Sequence, residues 1–159
     1  MKKLSLIALL FMVGLPHAVW AQKAAAGKSA SGTLAPADDP GTRFAAAFNK
    51  KDAVGAANAY TEDAVMMPPD SEIFSGRDKI QAFWQQWFTG GVGDIVITPI
   101  TSYTEGNRGY EVGTFDLESG GEKKIHVKGK FVVLVERGKD GLWRMSYDIW
   151  NADAPPAPQ

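Results

Sequence analysis

Apolar residues along the chain recur first at helical and then at strand spacing, and the change falls near Asp94. Asp39 is placed to cap a helix that starts at Pro40, with Phe44, Ala47 and Phe48 on one face. The polar run Asn49-Lys50-Lys51-Asp52 breaks that helix, and Asp52 predicts a second one reaching Tyr60, with Ala53, Val54, Ala57 and Tyr60 inward. Ala64 to Met67 is a short apolar run stopped by Pro68-Pro69, which predicts an edge strand. The clearest element follows. Ser75 and Asp78 have the spacing of a capping box, Ile80, Phe83, Trp84, Trp87 and Phe88 recur on one helical face, and Gly90-Gly91 supplies the stop.

From Asp94 onward the period is two. Turn-rich breaks at 105–109, 118–122 and 137–141 separate four runs, at 94–104, 109–118, 123–136 and 142–151. Strands joined by short hairpins form an antiparallel meander, and helices preceding strands give an α+β class. The expected architecture is a cone-shaped curved antiparallel sheet wrapped around the long aromatic helix, with two shorter N-terminal helices. In the third run Ile125, Val127, Gly129, Phe131, Val133 and Val135 share one face, while Val132 and Leu134 make the second face apolar halfway along. A face apolar on both sides predicts a homodimer packed sheet to sheet.

The last run raises a question of parity. Simple alternation groups Trp143, Met145, Tyr147 and Ile149 against Arg144, Ser146, Asp148 and Trp150, which puts Asp148 on the more polar face. A bulge near the open end of the cone would reverse that assignment.

The ends of the chain differ from its middle. Lys2-Lys3, an apolar run from Leu4 to Leu15, and Val19-Trp20-Ala21 read as a secretory signal peptide over residues 1–21, too short in its apolar part to span a bilayer. The expectation is a periplasmic or secreted protein without a membrane anchor after cleavage. Residues 22–38, rich in Ala, Gly and Ser, read as a flexible linker, 39–153 as the folded domain and 154–159 as a Pro-rich tail. The chain has no cysteine, so its fold depends on its core without disulfides. Cleavage removes Lys2, Lys3 and no acid, which takes the net charge from −1 to −3 and gives no basic surface for nucleic acid.

The order helix, Asn49–Asp52 turn, helix, then Tyr60-x-x-Asp63-Ala64-Val65, the Gly76-x-x-x-Ile80 helix start, and a meander closing Gly141-x-Trp143 and Asp148-x-Trp150-Asn151 resembles the SnoaL-like, ketosteroid-isomerase-like branch of the nuclear transport factor 2-like superfamily. The resemblance spans Thr42 to Asp153 and implies the cone fold. It leaves the activity open, because the superfamily holds isomerases, cyclases, dehydratases, hydrolases and non-catalytic association domains. Ketosteroid isomerases place an oxyanion-holding tyrosine where this chain has Phe44, and a general-base aspartate where it has Pro68. Neither substitute can do the work of the group it replaces, and a one-residue shift leaves only Asp70, in a loop, as a base.

Few other groups carry chemistry. His126 is the one histidine beyond the signal segment, and its strand position reads as surface or edge. No cysteine or histidine pairing suggests a metal, and no motif suggests a cofactor. Two readings stand. In one, Asp148 is the catalytic carboxylate of a pocket walled by Tyr60, Met67, Trp84, Phe88, Glu111 and Trp150, which binds a small apolar or aromatic ligand, and any chemistry there is cofactor-independent. In the other, Asp148 and Trp150 lie in a subunit contact or pair with Lys128 or Lys130, and the domain is a non-catalytic dimerisation module.

Overall fold

In the computed structural model, which describes residues 31–118 and 124–153, the chain enters as a two-residue strand, β1 (Ser31–Gly32), and turns into α1 (Pro40–Asn49). Asp39 caps α1 through both carboxylate oxygens, which accept from the Gly41 and Thr42 amides. The amphipathic spacing buries Phe44 and Phe48. Asp52 caps α2 (Ala53–Ala57) through the Gly55 amide, but this helix ends before Tyr60. Tyr60 instead opens strand β2 (Tyr60–Met67), because the sheet captures it: Tyr60 sits beside Met145, and the Met145 amide donates to Ala59 O at 2.8 Å. Tertiary pairing here overrides the local helical pattern.

β3 (Phe74–Ser75) folds back on β2 and leads into α3 (Arg77–Thr89). The expected capping box is absent. Ser75 is committed to pairing with Val65, and Gly76, at φ 92°, is the N-cap, with no side chain capping the helix. Asp78 still places a negative charge in the first turn, where the helix dipole favours it. The meander is β4 (Ile95–Glu105), β5 (Arg108–Glu118), β6 (His126–Arg137) and β7 (Trp143–Ala152). Most of the 118–122 turn, the segment 1–21 and the tail 154–159 lie outside the described residues.

One curved sheet of order β1-β4-β5-β6-β7-β2-β3 results, antiparallel except where β2 runs parallel to β7. Its concave face wraps α1 and α3, and the core between them is dominated by Phe44, Phe48, Tyr60, Ile80, Trp84 and Phe131. The sheet bends where glycines face aromatic rings across strands: Gly113 opposes Phe131, and Phe115 opposes Gly129. A Cβ on Gly129 would come within 2.3 Å of Phe115 Cζ and 2.4 Å of Asn151 O. Gly129→Ala is therefore expected to cost about 1–3 kcal/mol through overpacking. Urea unfolding checks this, and an unmoved midpoint would mean that the ring yields freely.

The middle of the convex face is apolar and, among the described residues, uncovered. Val132, Leu134, Tyr147 and Ile149 are all exposed there, so no described residue covers the apolar second face of β6. No helix among the described residues is long and apolar enough to cross a membrane.

Candidate active site

A cavity of ≈ 60 Å³ lies inside the cone. A buried water needs roughly 10–15 Å³, and an apolar cavity of about 150 Å³ holds benzene. The cavity thus has room for ordered water or the polar head of a small molecule, and a whole ring needs the aromatic wall to move outward. Phe44 and Phe48 of α1, Trp84 and Trp87 of α3, and Phe131 and Trp150 of the sheet form most of the apolar wall.

Asp148 reaches this cavity through a bulge. Leu134 pairs with Tyr147 and Val135 with Met145, so Ser146 is the extra residue on β7 and the alternation shifts by one beyond it. Trp143 and Met145 face inward before the bulge, and Asp148 and Trp150 after it. The carboxyl of Asp148, 7% exposed, accepts a hydrogen bond from the Tyr60 hydroxyl at 2.7 Å. Burial pushes Asp148 up to about 7, and the Tyr60 hydrogen bond pulls the other way. The same burial, then the neighbouring Asp148 charge, raises Tyr60 well above a phenol's ordinary range. The Trp84 indole N–H, near enough to the Tyr60 hydroxyl to favour its ionised form, completes no hydrogen bond of its own.

Glu111 is the second acid. Alternation along β5 turns Glu111, Gly113 and Phe115 inward, and Glu111 is 2% exposed. It sits by Asp39, whose oxygens already accept from the Gly41 amide, the Thr42 amide and the Thr42 hydroxyl. Burial first, then the charge of Asp39 and a hydrogen bond to it, raise Glu111 to about 7.

Tyr60, Trp84, Glu111, Asp148 and Trp150 thus meet in one cavity, with Trp150 stacked on Trp84 at 5.8 Å. Met67 and Phe88 are not part of it. Met67 pairs with Ile149 and shares its outward parity, whereas Met66, beside Asp148, is the buried one. Phe88 lies edge-on against Phe48 at 5.0 Å, and Trp87 takes the cavity wall in its place. The cross-strand ion pair considered for Asp148 does not form: Lys130 pairs with Asp153, and Lys128 lies near Asp116. His126 is exposed, with Nδ1 2.7 Å from Asp116 Oδ1. Asp70 is exposed on its loop, and Phe44 lines the cavity without a hydroxyl to offer.

Sequence reasoning missed Trp87, Phe115, Phe131 and Val133 as lining, and Asp39 as the neighbour of Glu111. The alternation of Glu111, Gly113 and Phe115, and of Phe131 and Val133, was the available signal for the sheet residues.

Residues 42–145 match the sequence profile of the SnoaL-like domain. The chain belongs to the SnoaL-like family. A comparison with curated proteins finds no match. Among solved structures, a ketosteroid isomerase-like protein from Erwinia carotovora atroseptica aligns with 17% identity and a TM-score of 0.66, covering 73% of this chain and 92% of that one. An NTF-2 like protein of unknown function from Shewanella oneidensis gives 20% identity and a TM-score of 0.60, covering 73% and 98%. A putative aromatic ring hydroxylase from Novosphingobium aromaticivorans gives 18% and 0.63, covering 77% and 94%. At these identities the likeness is one of fold, the nuclear transport factor 2-like cone.

Proposed function

We propose that this SnoaL-like protein is an exported domain that takes a small apolar or aromatic molecule into the open end of its cone, where Asp148 moves a proton on it. The observation that carries the reading is a carboxyl buried in an aromatic cavity, bonded to Tyr60 and brought to about 7. An acid–base group works best when its pKa lies near the working pH, and a carboxyl there exists in both forms at neutrality. Export rests on the N-terminal pattern of Lys2-Lys3 and the apolar run after it. The structurally similar Erwinia and Novosphingobium proteins, described as ketosteroid isomerase-like and as a putative aromatic ring hydroxylase, support a ring compound as ligand.

The test is a thermal-shift screen of the full chain with small ring compounds, Asp148→Asn alongside. A true ligand at tenfold its Kd should raise Tm by roughly 5–10 °C. The variant should lose turnover, and with it the part of the shift that depends on the carboxyl. A screen in which no ring compound stabilises the wild type would sink the reading.

The exposed apolar stripe of Val132, Leu134, Tyr147 and Ile149 favours a second reading, a homodimer joined through the convex face, with or without chemistry inside. Leu134→Glu is expected to give a monomer in sedimentation velocity while leaving the cavity intact. A wild type that sediments as a monomer at high concentration would remove this reading.

A further inference from the structure

A ring enters the ≈ 60 Å³ cavity beside Asp148 only if part of the wall yields. Burial decides which part can. Phe44, Phe48, Trp84, Phe115 and Phe131 are buried in the core, whereas Trp87 and Trp150 keep part of their surface in solvent. The two differ in what they cover. Trp150 lies flat on Trp84, with ring centroids 5.8 Å apart and planes 23° from parallel. Trp87 meets the same ring edge-on at 80°, and Phe44, Phe48 and Phe83 meet it at 59° to 81°. Departure of Trp150 uncovers an indole face, and departure of Trp87 does not.

The position of Trp150 on β7 gives that face a use. Trp150 follows Asp148 by two residues and lines the same cavity, so their Cα atoms lie roughly 7 Å apart. A ring stacked on Trp84 in place of the Trp150 indole therefore lies beside Asp148 and the Tyr60 hydroxyl bonded to it. The strand itself stays put: Trp150 pairs with Phe131, Ala152 with Gly129, and the Asp153 amide donates to Lys128 O at 2.9 Å. Rotation between side-chain rotamers is enough, and no hydrogen bond among the described residues holds the Trp150 indole N–H. An indole is larger than benzene, so its departure releases space on the scale of the about 150 Å³ that holds a benzene ring. Leaving costs Trp150 its stacking on Trp84. An aromatic ligand restores that contact with its own face, whereas a saturated ring of similar size restores burial alone.

We propose that Trp150 is the gate of the cavity and, when closed, fills the subsite of the ligand's ring: a planar aromatic compound displaces it and stacks on Trp84 with its polar edge toward Asp148. This rests on the reading of the cavity as a ligand site, and deepens it by naming the ring subsite and the residue that sets what enters.

The experiment measures phenol and cyclohexanol binding by calorimetry on the full chain, wild type and Trp150→Ala. The two probes share a hydroxyl and differ in aromaticity. Phenol should bind the wild type and bind Trp150→Ala about tenfold more tightly, as expected when the open state is roughly a tenth populated before binding. Cyclohexanol should be the weaker ligand of both proteins. In the 15N-labelled wild type, saturating phenol should speed the exchange of the Trp150 indole proton with water as the ring swings out. If phenol binds both proteins alike and the Trp150 signal does not change, the ring enters elsewhere and the gate is overturned, while the proposed function stands. If the variant alone binds phenol, Trp150 is a fixed wall and the gate is again overturned. Cyclohexanol binding as tightly as phenol would overturn the stacking subsite on Trp84. If neither protein binds phenol, the subsite fails, and the wider screen of ring compounds decides the proposed function separately. Should Trp150→Ala not fold, the exchange of the Trp150 indole proton in the wild type decides alone.

Discussion

Replacing Asp148 by asparagine is expected to flatten the pH dependence of stability. The folded carboxyl sits at about 7, whereas in the unfolded chain it titrates near its ordinary value. Between roughly pH 4 and pH 7 the native state therefore holds a proton that the unfolded state releases, and stability falls as pH rises. The sign is opposite to that of a salt-bridged aspartate, which loses stability on acidification. A shift of about three units corresponds to a loss on the order of 4 kcal/mol between pH 4 and pH 8. Asparagine still accepts from the Tyr60 hydroxyl but binds no proton, so the variant should escape that loss and be the more stable protein above pH 7. Glu111, raised in the same direction, adds a decline that both proteins share, and Tyr60, raised well above its usual range, stays neutral throughout. Urea unfolding across pH 4–8 reads the difference. Parallel curves for wild type and variant would show that Asp148 is solvated and that its position in the cavity has no electrostatic consequence.

Trp84→Ala should be the costliest single truncation, about 3–5 kcal/mol, and the only one expected to be partly repaired by a small molecule. Trp84 touches Phe44, Phe48, Phe83, Trp87 and Trp150 with ring centroids between 4.9 and 5.8 Å, so its loss removes contacts with both helices and the last strand at once. The hole adjoins the existing cavity, so added indole can occupy it. At an indole concentration tenfold above its Kd the variant should regain about 1.4 kcal/mol, while the wild type gains much less. Denaturant unfolding with and without indole checks this. A variant that is no less stable than the wild type would mean that the aromatic wall collapses without penalty.

Much of the architecture was legible because burial follows spacing. Phe44 and Phe48 on α1, Ile80, Phe83 and Trp84 on α3, and the four meander strands are one-sided patterns that only one placement satisfies. The departures arise where a long-range partner outranks the local signal. Tyr60 fits a helical face, yet parallel pairing with β7 draws it into a strand. Ser75 fits a cap, yet pairing with Val65 uses it otherwise. Asp148 depended on a bulge at Ser146 that alternation alone places nowhere, although it was the one device able to turn the carboxyl inward. Phe88 was assigned to the pocket by helical spacing alone, but the wall is set by how far around α3 the sheet reaches, and Trp87 stands there. The proximity of Asp39 and Glu111, far apart along the chain, has no local sequence signature.

The Tyr60–Asp148 hydrogen bond joins residues 88 apart in sequence. Among the described strands β7 alone connects β2 to the meander, lying between β6 and β2 in the sheet. A chain synthesised or refolded up to β6 therefore lacks the strand that joins β2 to the rest of the sheet, the carboxyl of Asp148 and the support for Tyr60. Contacts of such long range come late in folding, because loop closure must precede any gain from them. The Tyr60–Asp148 pair thus doubles as a readout of completion: it forms only when the C-terminal strand has docked, so under the proposed function an incomplete or nicked chain lacks the site altogether.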